Sequence, residues 1–418
     1  MQKYLIEGGK ALEGEVSCKG AKNSSLPILA ACLMVPKAHL KNVPGLSDVS
    51  CAMEILKFLG CSCKRTENEL IIENSGVFNR HIESCLTSKM RSSVLFAGSL
   101  LSLFGSCSIA FPGGCSLGER PVDMHISSFQ KLGYRVLCEG DFITAFKEKS
   151  EEAVTIKLPF PSVGATENII LASVLRKGTV DILNPAKEPE IADLAEFLNK
   201  AGAVISIGND TIHIAGKEKL GEVSHSMIPD RIEAVTYMAF AAGTGGKIHI
   251  KNCRPDHFQS VSDVFSAMGC KIIKEEKGIY LSAPQKLEAV SGIRTLPYPY
   301  FPTDAQSVIS ACLLKARGNS DIEENIFSSR FAPLSEFRKM GADIVIEGRK
   351  ALIKGVESLK GAELFSSDLR GGAALVLAAL EAEGTSIVRN ISHIERGYEN
   401  LEGNLTALGA PLKKIRGE

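Results

Sequence analysis

The residue best placed to do chemistry is Cys115, in the run FPGGCSLGERPVD from Phe111 to Asp123. Gly113, Gly114 and Gly118, with two prolines, make this stretch a loop and neither helix nor strand. Arg120 follows closely, and a neighbouring guanidinium favours the thiolate, drawing its pKa down from about 8.5 toward neutrality. Such a thiol can donate a proton or attack an electrophilic carbon near pH 7. Glu119 acts in the opposite sense, tempering the guanidinium. Taken alone, a single Gly-Gly-Cys reads more readily as a surface turn with an incidental thiol.

The second set is cationic. Lys22, Lys89, Arg91, Arg120, Arg231, Arg330, Arg370 and Arg396 fall at loops and at the starts of helical segments. A helix N-terminus already carries partial positive charge, so a cation there is unfavourable until an anion arrives. Phosphate or carboxylate would satisfy both, and Arg can bind either bidentately. Each cation by itself reads as a solvated charge or an ion pair with Asp230, Asp304 or Asp368; their recurrence points to a shared anion site. Asp304 follows Pro302 and Thr303 at a helix start and is expected to be an N-cap. Accepting backbone N–H bonds would make it a weak base, effective through placement. His125 and His393 show no partner pattern and read as structural.

These residues are positioned by a repeat. Six times a helical segment ends in Gly and passes into a strand, at Gly60, Gly133, Gly202, Gly269, Gly341 and Gly409, spaced 67 to 73 residues apart. Gly just past the last turn is the left-handed C-cap. A second helix, rich in Ala, Leu and Val, also recurs behind a polar tip: KGAKNSSLPILAA, SKMRSSVLFAG, SVGATENIILAS, IPDRIEAVTYMAF, FPTDAQSVISACLL and SDLRGGAALVLAAL. Being apolar nearly all round, these helices are expected to be central. Each unit reads helix, strand, loop, helix, Gly, strand, which is α/β class. The Cys115 loop is the enlarged second copy of the loop between strand and second helix. Three units per half put the boundary near Pro229, after the linker-like GKEKLGEVSHSM.

Composition narrows the classes further. Lys plus Arg and Asp plus Glu both total 48, so no net field attracts nucleic acid or an anionic membrane. No apolar run reaches membrane-spanning length, and MQKYLIEGGK lacks a signal pattern, so a cytoplasmic protein without membrane insertion is expected. The 12 cysteines, mostly in apolar segments, read as buried reduced thiols, and the Cys61/Cys63 spacing argues against zinc. No GxGxxG follows a strand, GTGGKI lacks the P-loop pattern, and aromatics at 6% offer no stacking platform for single-stranded nucleic acid.

Together, GAKNSSLPILAA, PGGCSLGERPVDMHI, PSVGATENIILA, EPEIADLAEFL, PDRIEA, FPTDAQ, DLRGGAALVLAAL and HIERGYENLEGNLTALGA resemble, in order and over essentially the whole chain, the UDP-N-acetylglucosamine 1-carboxyvinyltransferase family of enolpyruvyl transferases. The resemblance implies a two-domain inside-out α/β barrel with three repeats per domain, 22–229 and 1–21 with 230–418, and an active site in the cleft. It implies transfer of the enolpyruvyl group of phosphoenolpyruvate to the 3-hydroxyl of UDP-N-acetylglucosamine, the first committed step of peptidoglycan synthesis, with no cofactor and no metal. Cys115 resembles the family's general acid, able to form a covalent phosphoenolpyruvate adduct and to be alkylated by fosfomycin. Lys22, Asn23, Arg120 and Arg396 resemble the phosphoenolpyruvate cradle, with Lys22 and Arg396 also in catalytic roles, and Asp304 resembles the base at the sugar 3-hydroxyl. The positions gripping the UDP-sugar are Asn23, Arg91, Arg120, Pro121, Val122, Asp123, Met124, Ser162, Val163, Gly164, Asp304 and Ile326. Further cleft positions are Glu188, Asp230, Arg330, Asp368 and Arg370. The implied partners are the two small-molecule substrates, and a monomer is expected.

Phe160 and Pro161 stand where some members carry a basic residue near the diphosphate, so that contact must come from elsewhere. The related transferase acting on shikimate 3-phosphate lacks the PGGC loop. A retired paralogue that only binds UDP-sugar conflicts with the retention of Cys115, Lys22, Arg120, Asp304 and Arg396.

Overall fold

The computed structural model describes residues 2–113, 122–149 and 152–416. They fall into two units, 20–113 with 122–228 and 2–19 with 229–416. Among the described residues there are six four-stranded sheets, three in each unit.

The second repeat shows how one sheet is built. The strand Ser106–Ala110 pairs in parallel with the short strand His81–Ile82 on one side and antiparallel with Phe142–Lys147 on the other, which pairs in turn with Tyr134–Glu139. Two of these strands are absent from the sequence reading: the return strand of the terminal hairpin and the short edge strand ahead of each buried helix. The edge strand, two residues long in this repeat, is too brief to separate from loop.

Two sheets of the second unit are completed by the start of the chain. Gln2–Glu7 lies between Thr385–Arg389 and Leu412–Arg416, with Lys3 opposite Arg389 and Ile415. Glu13–Ser17 pairs in parallel with Lys247–Lys251. In the first unit, Val223–Ser226 pairs in parallel with Lys37–Lys41, so GKEKLGEVSHSM, read as a linker, ends in a sheet strand. Its short Val223/His225 alternation, both buried, was masked by the surrounding charge.

The six terminal glycines all have positive φ, between 90° and 114°, the conformation a left-handed C-cap requires. A second recurrent turn escaped the sequence reading. Asn42, Asn184, Asn252 and Asn390 each follow a central strand with φ of 50° to 56°. Three of them donate Nδ2–H to a backbone carbonyl, of Met227, Leu158 and Cys18 respectively. Asn tolerates this region because its short amide bonds locally. Phe111 and Glu324 occupy the same position in the other two repeats.

Each unit packs its sheets around buried helices. In the first unit these are Lys22–Ala31, Leu95–Phe104 and Val163–Ser173. In the second they are Arg231–Gly243, Thr303–Leu313 and Leu369–Glu381. Their all-round apolar surface has no other stable place, since at about 25 cal/mol per Å² exposing one such helix would cost more than a domain's net stability. The eleven described cysteines are free thiols, seven of them buried, while Cys85 and Cys138 are exposed. No described helix is long and apolar enough to cross a membrane.

Candidate active site

In the first unit, Lys22 opens its helix with no side-chain cap before it. Its ammonium is nearly buried and lies 2.9 Å from Asp48 Oδ2. Gly20, just ahead of this helix, lets the chain pass close to Asn42, because a Cβ there would stand 1.7 Å from the Asn42 carbonyl oxygen. Asn23 follows in the first turn, partly buried. Arg91 begins a short 3-10 turn that runs into the helix Leu95–Phe104, and Nη1 donates to the Pro112 carbonyl at 3.5 Å. This ties Arg91 to the base of the cysteine loop, where Gly113 N–H also bonds to Thr87 O. Cys115, Glu119, Arg120 and Pro121 themselves lie outside the described residues.

Asp123 starts the helix Asp123–Lys131, exposed, with Val122 buried before it and Met124 partly buried after it. Ser162 caps the helix Val163–Ser173, its Oγ accepting from Ala165 N–H. Gly164 in that first turn faces the His125 ring, which a Cβ would meet at 3.3 Å. His125 has a partner that the sequence reading lacked: Asn168 Nδ2 lies 2.9 Å from Nδ1, while Asn168 also binds Val94 O and Gly98 N–H. Burial, and then the Arg91 charge, push the His125 pKa down to about 4 against the opposing pull of Asp123. His125 is thus a neutral ring, and Asn168 joins both it and the Arg91 turn to the Ser162 helix. Phe160 is exposed. Glu188 precedes the helix Pro189–Lys200, and its charge, with that of Glu190, helps burial push Glu167 up. Glu188 therefore belongs to a carboxylate group. Lys89 forms an exposed pair with Glu54, as an ordinary surface charge does.

The second unit concentrates charge. Asp304 is the second residue of Thr303–Leu313, and Pro302 holds the cap position, so the expected N-cap role is not found. Two guanidiniums hold its carboxylate instead: Arg330 Nη2 at 2.7 Å from Oδ1 and Arg370 Nε at 3.4 Å from Oδ2. Proline at the cap offers no side-chain acceptor, and Asp304 stands two positions beyond the cap, where it meets the guanidiniums. Arg330, fully buried, also donates to Thr303 Oγ1 and reaches Asp368 Oδ1 at 3.5 Å. Asp368 caps Leu369–Glu381 through Arg370 and Gly371 N–H, and Asp230 caps Arg231–Gly243 in the same way.

Arg370 is 2% exposed and lies over the Tyr398 ring at 5.2 Å; Nε has only its 3.4 Å ion pair with Asp304, and Nη1 makes no hydrogen bond among the described residues. Buried N–H groups in that condition are costly unless a ligand satisfies them. Arg231, also buried, stacks over Tyr298. Ile326 N–H bonds to Glu324, whose buried carboxylate further accepts from Thr295, Thr303 and Phe327. Arg396 follows the short helix Ser392–Glu395 and is half-buried. Thus Asp304, Arg330, Asp368 and Arg370 form one cluster, whereas Lys22 and Arg91 belong to the other unit. Among the described residues no group of His, Cys, Asp or Glu could hold a metal ion.

The profile of the EPSP synthase family (3-phosphoshikimate 1-carboxyvinyltransferase) matches residues 6–405. The chain belongs to the EPSP synthase family. Its relatives within that family include the UDP-N-acetylglucosamine 1-carboxyvinyltransferase 1 of Caldanaerobacter subterraneus subsp. tengcongensis, 44% identical over 414 residues, covering 98% of this chain and 99% of the relative. The protein of the same name from Symbiobacterium thermophilum is 42% identical over 421 residues, covering 99% and 95%. Among solved structures, the enolpyruvyl transferase NikO from Streptomyces tendae superposes with a TM-score of 0.90 at 22% identity, over 100% of this chain and 99% of that one. EPSP synthase from Acinetobacter baumannii reaches 0.78 at 16% identity over the whole of both chains. The repeated six-sheet architecture of this family member is therefore that of the enolpyruvyl transferases.

Proposed function

We propose that this family member transfers the enolpyruvyl group of phosphoenolpyruvate to the 3-hydroxyl of UDP-N-acetylglucosamine and releases phosphate, in the cytoplasm and as a monomer. The observation that carries the reading is identity of 42–44% over nearly the full chain to two proteins named for that transfer. The proposed chemistry begins with a proton passing from Cys115 to the methylene carbon of phosphoenolpyruvate. The sugar oxygen bonds to the adjacent carbon and its proton passes to Asp304. Return of a methyl proton to the Cys115 thiolate and departure of phosphate restore the double bond. An oxygen attacking a cationic carbon becomes strongly acidic, so a carboxylate held between Arg330 and Arg370 is base enough. Lys22, Asn23, Arg120 and Arg396 are assigned to the phosphoenolpyruvate anions, and the Nη1 group of Arg370 suits the same charge. The neutral His125 and the amides beginning at Val163 suit the diphosphate where Phe160 offers no cation.

Phosphate release with phosphoenolpyruvate and either UDP-N-acetylglucosamine or shikimate 3-phosphate tests the reading. Turnover is expected with the nucleotide sugar alone; release only with shikimate 3-phosphate overturns it. Cys115→Ser should lower turnover by about 10² to 10⁴-fold while UDP-sugar affinity is retained. An undiminished rate removes the acid role from Cys115.

A further inference from the structure

Behind Lys22 and Asn23 the first unit contains a buried polar group that the reaction as proposed does not use. Ser24, Asp193 and His225 are each at most 3% exposed. The Ser24 hydroxyl donates to Asp193 Oδ2, and Ile228 N–H donates to the same oxygen at 3.3 Å. His225 Nε2 lies 2.9 Å from Asp193 Oδ1. Its Nδ1 lies 3.4 Å from Lys200 Nζ, an ammonium that can only donate, so the ring hydrogen sits on Nε2 and is given to Asp193. Phe197 closes the ring edge-on.

The hydrogen bonds form a circuit around the Lys22 turn. Ala21 N–H bonds to the Ile228 carbonyl at 2.7 Å, Ile228 N–H bonds to Asp193, and Asp193 receives Ser24. One carboxylate therefore holds both ends of the segment 21–24, the two residues inside it being Lys22 and Asn23. This helix has no capping side chain of its own to fix its first turn. The Lys22 ammonium is steadied separately by Asp48. A fully bonded buried carboxylate is costly to displace, so it fixes geometry more firmly than a surface contact does.

We infer that Asp193, oriented by His225, is a positioning residue that holds the Lys22–Asn23 turn in register for phosphoenolpyruvate. The inference rests on the function proposed above. Displacing a reactive group by about 1 Å can cost on the order of 10²-fold in rate, so the clamp is expected to act on kinetics as well as on stability.

Steady-state kinetics for both substrates, UDP-sugar affinity by calorimetry and thermal unfolding are measured on the full chain. Ser24→Ala should lower kcat/KM for phosphoenolpyruvate on the order of tenfold, and Asp193→Asn by more, with UDP-sugar affinity, to which Asn23 is also assigned, falling by a smaller factor. His225→Gln, which keeps an N–H donor, should stay near wild type, while His225→Leu should follow Asp193→Asn. Ser24→Ala kinetics within about twofold of wild type, whatever the change in Tm, overturn the inference, and this variant carries the test if Asp193→Asn fails to fold. A wild type inactive with these substrates overturns the proposed function and the inference with it; an active wild type beside unaffected variants overturns the inference alone.

Discussion

The two units solve the same packing problem with opposite electrostatics. In the second unit the starts of the buried helices are ionic: two aspartate caps, and two buried arginines tied to Asp304 and Asp368. A carboxyl, Glu381, even lies deep among the helices, with neither oxygen hydrogen-bonded within the described residues. In the first unit the corresponding work is done largely by neutral groups. Ser162 caps one helix, and Asn168 ties His125 to the neighbouring turn. The charged exceptions are Lys22 with Asp48, Arg91, the Asp193 carboxylate behind Ser24, and the carboxylate group of Glu167, Glu188 and Glu190. A repeat therefore specifies where helix starts fall, while the side chains at each start decide whether that place holds fixed charge or neutral donors.

Arg330→Met should break the contrast most severely. It strands Asp304 and Asp368 without their shared cation, and removal of one partner from a buried ionic cluster typically costs about 3–5 kcal/mol, read by denaturant unfolding. Partial recovery in Arg330→Met with Asp304→Asn would show that the loss comes from uncompensated charge. No loss of stability would mean that the cluster contributes no fixed order.

Glu381 gives the second unit a characteristic pH response. Burial pushes its carboxyl pKa well up. The folded state therefore keeps a proton that the unfolded chain gives up above about 4.3. Stability from this group is complete below that pH and falls as pH rises, by at most about 1.4 kcal/mol per pH unit for one proton. Glu381→Gln should flatten that part of the curve and be the more stable protein at pH 8. An unchanged curve would place the carboxyl in contact with solvent.

His125 should give the first unit the reverse slope. Its pKa is held down to about 4, below an unfolded value of about 6.5, so its contribution is present above 6.5 and lost as pH falls toward 4. NMR titration of the ring, with His125→Asn as control, measures it directly. A ring titrating near 6.5 would remove the neutral-donor role. Smallest are the caps. Ser162 reaches Ala165 N–H at 3.4 Å, whereas Asp230 accepts two amides at 2.8 and 3.0 Å. Ser162→Ala should cost about 0.5 kcal/mol and Asp230→Ala nearer 2 kcal/mol by thermal unfolding. Equal losses would erase the distinction between the two kinds of helix start.

Asp304 illustrates how far the candidate site can be read before folding. Its place at a helix start was legible from Pro302 and Thr303, but the expected cap is supplied by neither its side chain nor any other. Arg330 and Arg370 reach it from positions 26 and 66 residues away along the chain, and no local rule predicts that choice of partner. His125 is a similar case, because Asn168 lies on a different helix. Glu324 left a faint trace, being one of two residues that replace the recurrent Asn after a central strand. For Asp193 there was none, since EPEIADLAEFL reads as an ordinary amphipathic helix.

What the chain by itself determined is whatever depends on neighbours a few residues apart. The six glycine stops, the apolar helices and the α/β alternation are of this kind, because backbone sterics and helical period act over short distances. Tertiary structure alone decided which strands share a sheet, such as Gln2–Glu7 lying beside Thr385–Arg389, and which carboxylate meets which cation. Those pairings join residues that are neighbours only after burial. There the low dielectric makes an unpaired charge costly enough to select its partner, a force with no counterpart in the extended chain.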